Sequence, residues 1–183
     1  MPIPFLYHVF RYMNRQEQRS DNNVMPWHVL HTRPRCEKKL AEYCRISRLE
    51  HYLPLRAEVK VVQRRKIEVR KPLFPGYVFI RFGPAQRVRV LKSRQVVRVL
   101  PVNDQAGFLN EISQIRKALA VAPGLGACPA LARGTMARIV TGPFRGLEGM
   151  VDAIKGQARV ILNVNMIGQG VPVEVTPDML ERL

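Results

Sequence analysis

The stretch KPLFPGYVFIRF, Lys71 to Phe82, decides how this chain is read. It turns on Pro72, Pro75 and Gly76 and then continues in strong β-formers. A strand's period of two puts Tyr77, Phe79 and Arg81 on one side and Val78, Ile80 and Phe82 on the other. Both sides are apolar, as in a strand covered on both faces. We therefore expect one face to meet the chain's own helices and the other to be available to a partner. Core packing for both faces is the plainer alternative.

Working back from it, Val59, Val61, Ile67 and Val69 flank Gln63, Arg64, Arg65 and Lys66, the pattern of a hairpin with a basic tip. Five Lys and Arg fall between Lys60 and Arg70, a density that fits contact with phosphates; a solvated loop is the alternative. WHVLH, Trp27 to His31, reads as a strand. Arg35 to Leu49 reads as a helix with Pro34 at its start and an apolar stripe of Leu40, Tyr43 and Cys44. Working forward, Pro84 to Ser93 reads as a short helix bearing Arg87, Arg89 and Lys92, with Arg94 just beyond, and Val96 to Pro101 as a strand. Asn103 or Asp104 caps a helix marked by Phe108, Leu109, Ile112, Ile115 and Leu119. The order strand, helix, hairpin, strand, helix, strand, helix is that of an α+β domain, one sheet with helices packed on a face.

Residues 1–26 read as a flexible polar tail, and Met25 offers an alternative start. The structured region then runs over 27–120, and VAPGLGACPALA, residues 121–132, reads as a linker. Over 133–183 short strands are expected at Met136–Val140, Leu147–Ile154, Arg159–Met166 and Val171–Val175. Their turns fall at Gly142, Lys155–Gly156 and Gly168 to Gly170, which gives a small β-barrel. Val160, Leu162, Val164 and Met166 alternate with Arg159, Ile161, Asn163 and Asn165, the mark of a half-buried strand.

The 183 residues carry a formal net charge of +16, and its placement is informative. Trp27 to Lys117 holds twenty-one Lys and Arg against seven Asp and Glu, whereas the rest of the chain is close to neutral. This predicts a polyanion for the middle segment, with nucleic acid first and an anionic membrane surface second. Cys36, Cys44 and Cys128 form no framework and no CxxC, so free thiols in a reducing cytoplasmic setting are expected. The four histidines are scattered, so neither a metal nor another cofactor is expected. No apolar run has membrane-spanning length. Paired acidic ligands, an HxxxH, a phosphate-binding glycine loop and a nucleophile with a partnered base are all missing, which argues against an enzyme.

Two strings then resemble a known family. WHVL at Trp27 to Leu30 and LFPGYVF at Leu73 to Phe79 resemble the NGN domain of NusG-type transcription factors. GTMARIVTGPFRGLEGMV at Gly134 to Val151 and GVPVEV at Gly170 to Val175 resemble their KOW domain, a small SH3-like barrel. The resemblance implies a monomeric elongation factor that modulates pausing, termination or antitermination. Its NGN sheet docks on the clamp helices of RNA polymerase and passes the non-template DNA strand, and its KOW domain recruits other factors. Carried onto this chain, Tyr77 and Phe79 take the docking positions with His31 nearby. The helix bearing Arg87, Arg89 and Lys92, with Arg94 beyond it, falls where members reach toward DNA, so these cations could track phosphates; the hairpin cations Arg64, Arg65 and Lys66 are candidates by their density alone. Gly142, Gly146 and Gly149 are structural turn and bend positions. Where several members carry an aromatic that meets a ribosomal protein or Rho, this chain has Ile167, with Phe144 as a nearby ring. The excess NGN charge resembles a specialised RfaH-like paralogue. A KOW-type RNA-binding or ribosome-associated protein is the alternative, but it should carry its charge in the barrel.

Overall fold

The computed structural model describes residues 25–131, 133–154 and 157–183. The expected tail, apart from Met25 and Pro26, lies outside them, as does the expected turn at Lys155–Gly156. The first domain contains β1 (Trp27–Thr32), α1 (Glu37–Ile46), β2 (Glu50–Tyr52), β3 (Leu55–Val62), β4 (Arg65–Pro72), β5 (Tyr77–Arg81), α2 (Pro84–Lys92), β6 (Val96–Pro101) and α3 (Gln105–Val121). Four strands form one antiparallel sheet in the order β2-β5-β1-β6, while β3 and β4 pair only with each other.

Helices cover both faces of that sheet, not the one face expected. Cross-strand partners share a face, and Val29 lies opposite Phe79 while Leu30 lies opposite Val78. On the second of these faces Leu30, Val78, Ile80 and Phe82 join Leu40 and Cys44 of α1 and Val90 of α2 in one buried cluster. On the first, Trp27, Val29 and Phe79 pack with Phe108, Ile112 and Ile115 of α3. Asp104 caps α3, accepting from Gly107 N at 2.8 Å. Gln105 clips that end of the helix to β1: Trp27 N donates to its Oε1 at 2.8 Å, and its Nε2 donates to Trp27 O at 3.0 Å. The first helix begins at Glu37 and not at Arg35, because Arg35 sits at φ +60°, outside helical geometry.

The second domain is a six-stranded antiparallel sheet, ordered β12-β8-β9-β10-β11-β7. It comprises β7 (Cys128–Pro129), β8 (Thr135–Ile139), β9 (Glu148–Ile154), β10 (Gln157–Val164), β11 (Gln169–Val175) and β12 (Leu180–Arg182). Cys128–Pro129 pairs with β11 and Pro123 O accepts from Ala57 N at 2.7 Å, so part of the expected linker is tied to each domain. Val160, Leu162 and Val164 are buried as the alternation predicts. Ile161, expected on the solvent side, is buried too: Gly170 faces it from the neighbouring strand and leaves room for its side chain. A Cβ on Gly149 would stand 2.5 Å from Ile161 O.

The two domains touch through α3, which lies against β10. Asn165 Nδ2 donates to Glu111 Oε1 at 2.5 Å, and Glu148 N donates to Gln114 Oε1 at 2.5 Å. Apolar packing continues across the junction from Phe108, Ile112 and Ile115 to Val160, Leu162 and Val164.

Candidate polymerase-docking and nucleic-acid surfaces

The tight turn before β5 builds the docking candidate. Gly76 adopts φ +86°, a conformation costly for residues with a Cβ, and its N–H donates to the buried Glu37 carboxylate at 2.6 Å. Gly76 O accepts from Thr32 N at 2.8 Å, so the turn is fastened to β1 as well. These bonds fix Tyr77 opposite His31, with ring centroids 5.4 Å apart. His31 is exposed and Tyr77 half-buried, and β6 places the exposed Arg98 opposite His31. Arg98 extends this end of the face with a cation. The sequence offered no signal for it, since the contact depends on how β6 pairs.

Phe79 does not share that exposure. It is wholly buried, edge-on to Phe108 at 5.4 Å and Phe74 at 6.4 Å and stacked with Tyr52 at 6.3 Å. Strand parity correctly placed it on the side of Tyr77, but α3 covers that side beyond Tyr77. The expectation of an outward-facing Phe79 is therefore corrected. Burial also pushes the Tyr52 hydroxyl up to about 12 and the Cys44 thiol up to about 12, consistent with packing roles for both. Arg81 ends the same side, bonded from Nε to Met25 O at 2.8 Å and from its guanidinium to Glu50 at 3.2 Å.

Arg87, Arg89, Lys92 and Arg94 are all exposed on α2 and the turn after it, and no ion pair engages them among the described residues. They do not form a single row: at about 100° per residue Arg89 and Lys92 share a side, with Arg87 most of a half-turn away. Arg87 lies close enough to His28 to lower its pKa, an effect led by burial of the imidazole, which stacks on Phe82 at 4.1 Å. Arg64, Arg65 and Lys66 sit apart from these, at the tip of the β3–β4 ribbon, where all are exposed.

In the second domain Phe144 and Ile167 are half-buried against the continuous apolar cluster. Gly142 and Gly146 take φ +80° and +85°, and Gly149 owes its lack of a side chain to the close approach of Ile161. Among the described residues no group of His, Cys, Asp and Glu is placed to hold a metal ion, and no helix is long and apolar enough to cross a membrane.

Comparison with known proteins finds relatives of one family. The Rickettsia prowazekii transcription termination/antitermination protein NusG is 25% identical over 185 aligned residues, covering 89% of this chain and 93% of that protein. The Thermus thermophilus protein of the same name is 31% identical over 126 residues, covering 61% of this chain and 67% of its own. A solved structure described as "Domain interaction in Thermotoga maritima NusG" aligns with a TM-score of 0.45 at 20% identity, covering 86% of this chain and 97% of that one. The profile of the family described as "Transcription termination factor nusG" matches residues 25–118, just over half of the 183 residues and the whole of the four-stranded sheet with most of α3. The chain belongs to the NusG family.

Proposed function

We propose that this protein is a transcription elongation factor that binds RNA polymerase at its clamp helices through the His31–Tyr77 end of its sheet and modulates pausing, termination or antitermination. The observation that carries this reading is the exposed His31 ring beside the half-buried Tyr77, held at the open end of an otherwise covered face by the Gly76 turn. An aromatic pair on a rigid strand loses little side-chain freedom on binding and offers apolar area with polar edges. Phe79, on the same side of β5, is buried in the core. Arg87, Arg89, Lys92 and Arg94 supply salt-sensitive contacts to the non-template DNA strand, with the ribbon tip as a second nucleic acid surface. In the second domain, Phe144 and Ile167 form the surface offered to a recruited factor, a ribosomal protein or Rho. An RNA-binding KOW protein is disfavoured because the charge lies almost entirely in the other domain.

Co-purification of the full chain with core RNA polymerase tests the docking surface. His31→Ala/Tyr77→Ala should lower retention at least about tenfold, the loss expected of a pair worth ~1.4 kcal/mol or more, with the circular dichroism spectrum unchanged. Full retention by that variant removes the docking assignment.

A further inference from the structure

The β3–β4 ribbon is unlike the rest of the first domain because, among the described residues, it packs on nothing beyond its base. At the base, Glu58 is held by Lys71 at 2.6 Å and Arg56 at 2.9 Å, Lys38 Nζ donates to Arg70 O at 2.5 Å, and Ala57 is bonded to Pro123. Beyond Glu58 every residue from Val59 to Glu68 is exposed, including the aliphatic Val59, Val61, Val62 and Ile67 at 63%, 68%, 48% and 44%. Within residues 59–67 there are four cations, Lys60, Arg64, Arg65 and Lys66, and no carboxylate; of the two that flank it, Glu58 is paired at the base and Glu68 faces Arg70 at 3.9 Å.

The pairing register distributes these groups over two sides. Val62 lies opposite Arg65 and Lys60 opposite Ile67 on one side, while Val61 lies opposite Lys66 and Val59 opposite Glu68 on the other, so one side presents two cations and the other a single cation with Glu68 beside it, each next to aliphatic surface. A ribbon basic on one side fits a flat anionic wall. One with a cation on each side near its tip fits a slot with an anionic wall on each side. The turn adds an independent sign. Gln63 and Arg64 sit at φ +48° and +64°, positions where a two-residue hairpin turn favours Asn-Gly, and this chain places an arginine at the strained tip.

We propose that residues 59–67 are an arm that enters the major groove of double-stranded DNA, with Lys60 and Arg65 on one side and Lys66 on the other meeting opposing phosphate backbones and Arg64 leading. This rests on the nucleic-acid reading above and assigns it a duplex and a groove. The dimensions agree: at about 3.3 Å per residue the free arm projects ~16 Å, and a B-form major groove, ~12 Å wide and ~8.5 Å deep, admits a two-stranded ribbon. The deep, narrow major groove of an RNA duplex does not.

The test uses the full chain and a fluorescent DNA duplex of about 24 base pairs, titrated by anisotropy across a potassium chloride series. The same sequence as a DNA single strand and as an RNA duplex, and polyglutamate as competitor, complete the set. Lys60→Gln/Arg64→Gln/Arg65→Gln/Lys66→Gln should weaken duplex binding at least about tenfold and reduce the magnitude of the log–log salt slope by about 3, near 0.9 per lost phosphate contact. Bound wild-type protein should protect guanine N7 from dimethyl sulfate, and the quadruple variant should not. Arg64→Gly should raise the melting temperature by relieving the turn while weakening binding, a pairing of signs that a purely structural arginine cannot give. An unchanged slope in the quadruple variant, open guanine N7 atoms under bound protein, equal or tighter RNA duplex binding, or polyglutamate competing as well as DNA overturns the proposal. If Arg87→Gln/Arg89→Gln/Arg94→Gln flattens the slope while the ribbon variant leaves it unchanged, the ribbon arm is wrong and the wider nucleic-acid reading stands.

Discussion

Phe79 separates a packing residue from a docking residue, and Phe79→Ala makes the distinction measurable. The ring is wholly enclosed and touches Phe108, Phe74 and Tyr52, so truncation removes its buried area and three aromatic contacts and leaves a cavity between β5 and α3. Such truncations cost about 3–5 kcal/mol, and the three ring partners place this one at ~4 kcal/mol. Against a total stability of about 5–15 kcal/mol, that is a large share. With a urea slope of ~2 kcal/mol per molar, the unfolding midpoint should fall by ~2 M. Trp27 is the only tryptophan in the chain and lies in the same cluster, 6.5 Å from Phe108, so its fluorescence reports on this core directly. Tyr77→Ala, half-buried at the open end, should move the midpoint by less than ~0.5 M. A Phe79→Ala midpoint within about 0.3 M of wild type would refute the burial argument and return Phe79 to the partner-facing surface.

Two further perturbations follow from the second domain and its junction. Burial raises the Glu111 pKa above 4.5 despite the bonds it accepts from Asn165, so the folded state holds that proton more tightly than the unfolded chain does. The associated stability is complete below pH 4.5 and is lost as pH rises through the folded value; thermal melts across that window should show Glu111→Gln with a flatter pH dependence than wild type. Gly149→Ala should destabilise by ~1–3 kcal/mol, because its Cβ would meet Ile161 O at 2.5 Å and Val160 Cγ1 at 2.8 Å. Gly146→Ala, with open space around it but φ +85°, should cost only ~1 kcal/mol when the two variants are compared by calorimetry.

What was legible in the sequence was local. Period-two runs located β1, β5 and the ribbon, and the choice of Asn103 or Asp104 as cap located the start of α3 to within a residue, because alternation and capping depend on neighbours a few residues apart. The ribbon turn was legible only as a polar break: Gln63-Arg64 lacks the glycine that usually marks such a turn, so its geometry could not be read from composition. The facing of Phe79 failed for a different reason. Parity assigns residues to sides of a strand, but whether a side is covered depends on α3, some thirty positions later in the chain.

The same helix shows why the domain junction left no trace in the pattern. Phe108, Ile112 and Ile115 make the apolar stripe that periodicity finds, and it packs on the sheet. At about 100° per residue, Glu111, Gln114 and Ala118 form a second stripe roughly a quarter-turn away. Two of its three members are polar, so by hydrophobicity it reads as a solvent face. Glu111 and Gln114 nonetheless hold the second domain, through Asn165 and the Glu148 amide. These are short-range bonds to neutral partners, whereas the contacts assigned to the α2 and ribbon cations are charge on charge. Added salt should therefore weaken nucleic acid binding steeply while leaving the α3 hydrogen bonds nearly intact, and the two behaviours can be separated in one titration.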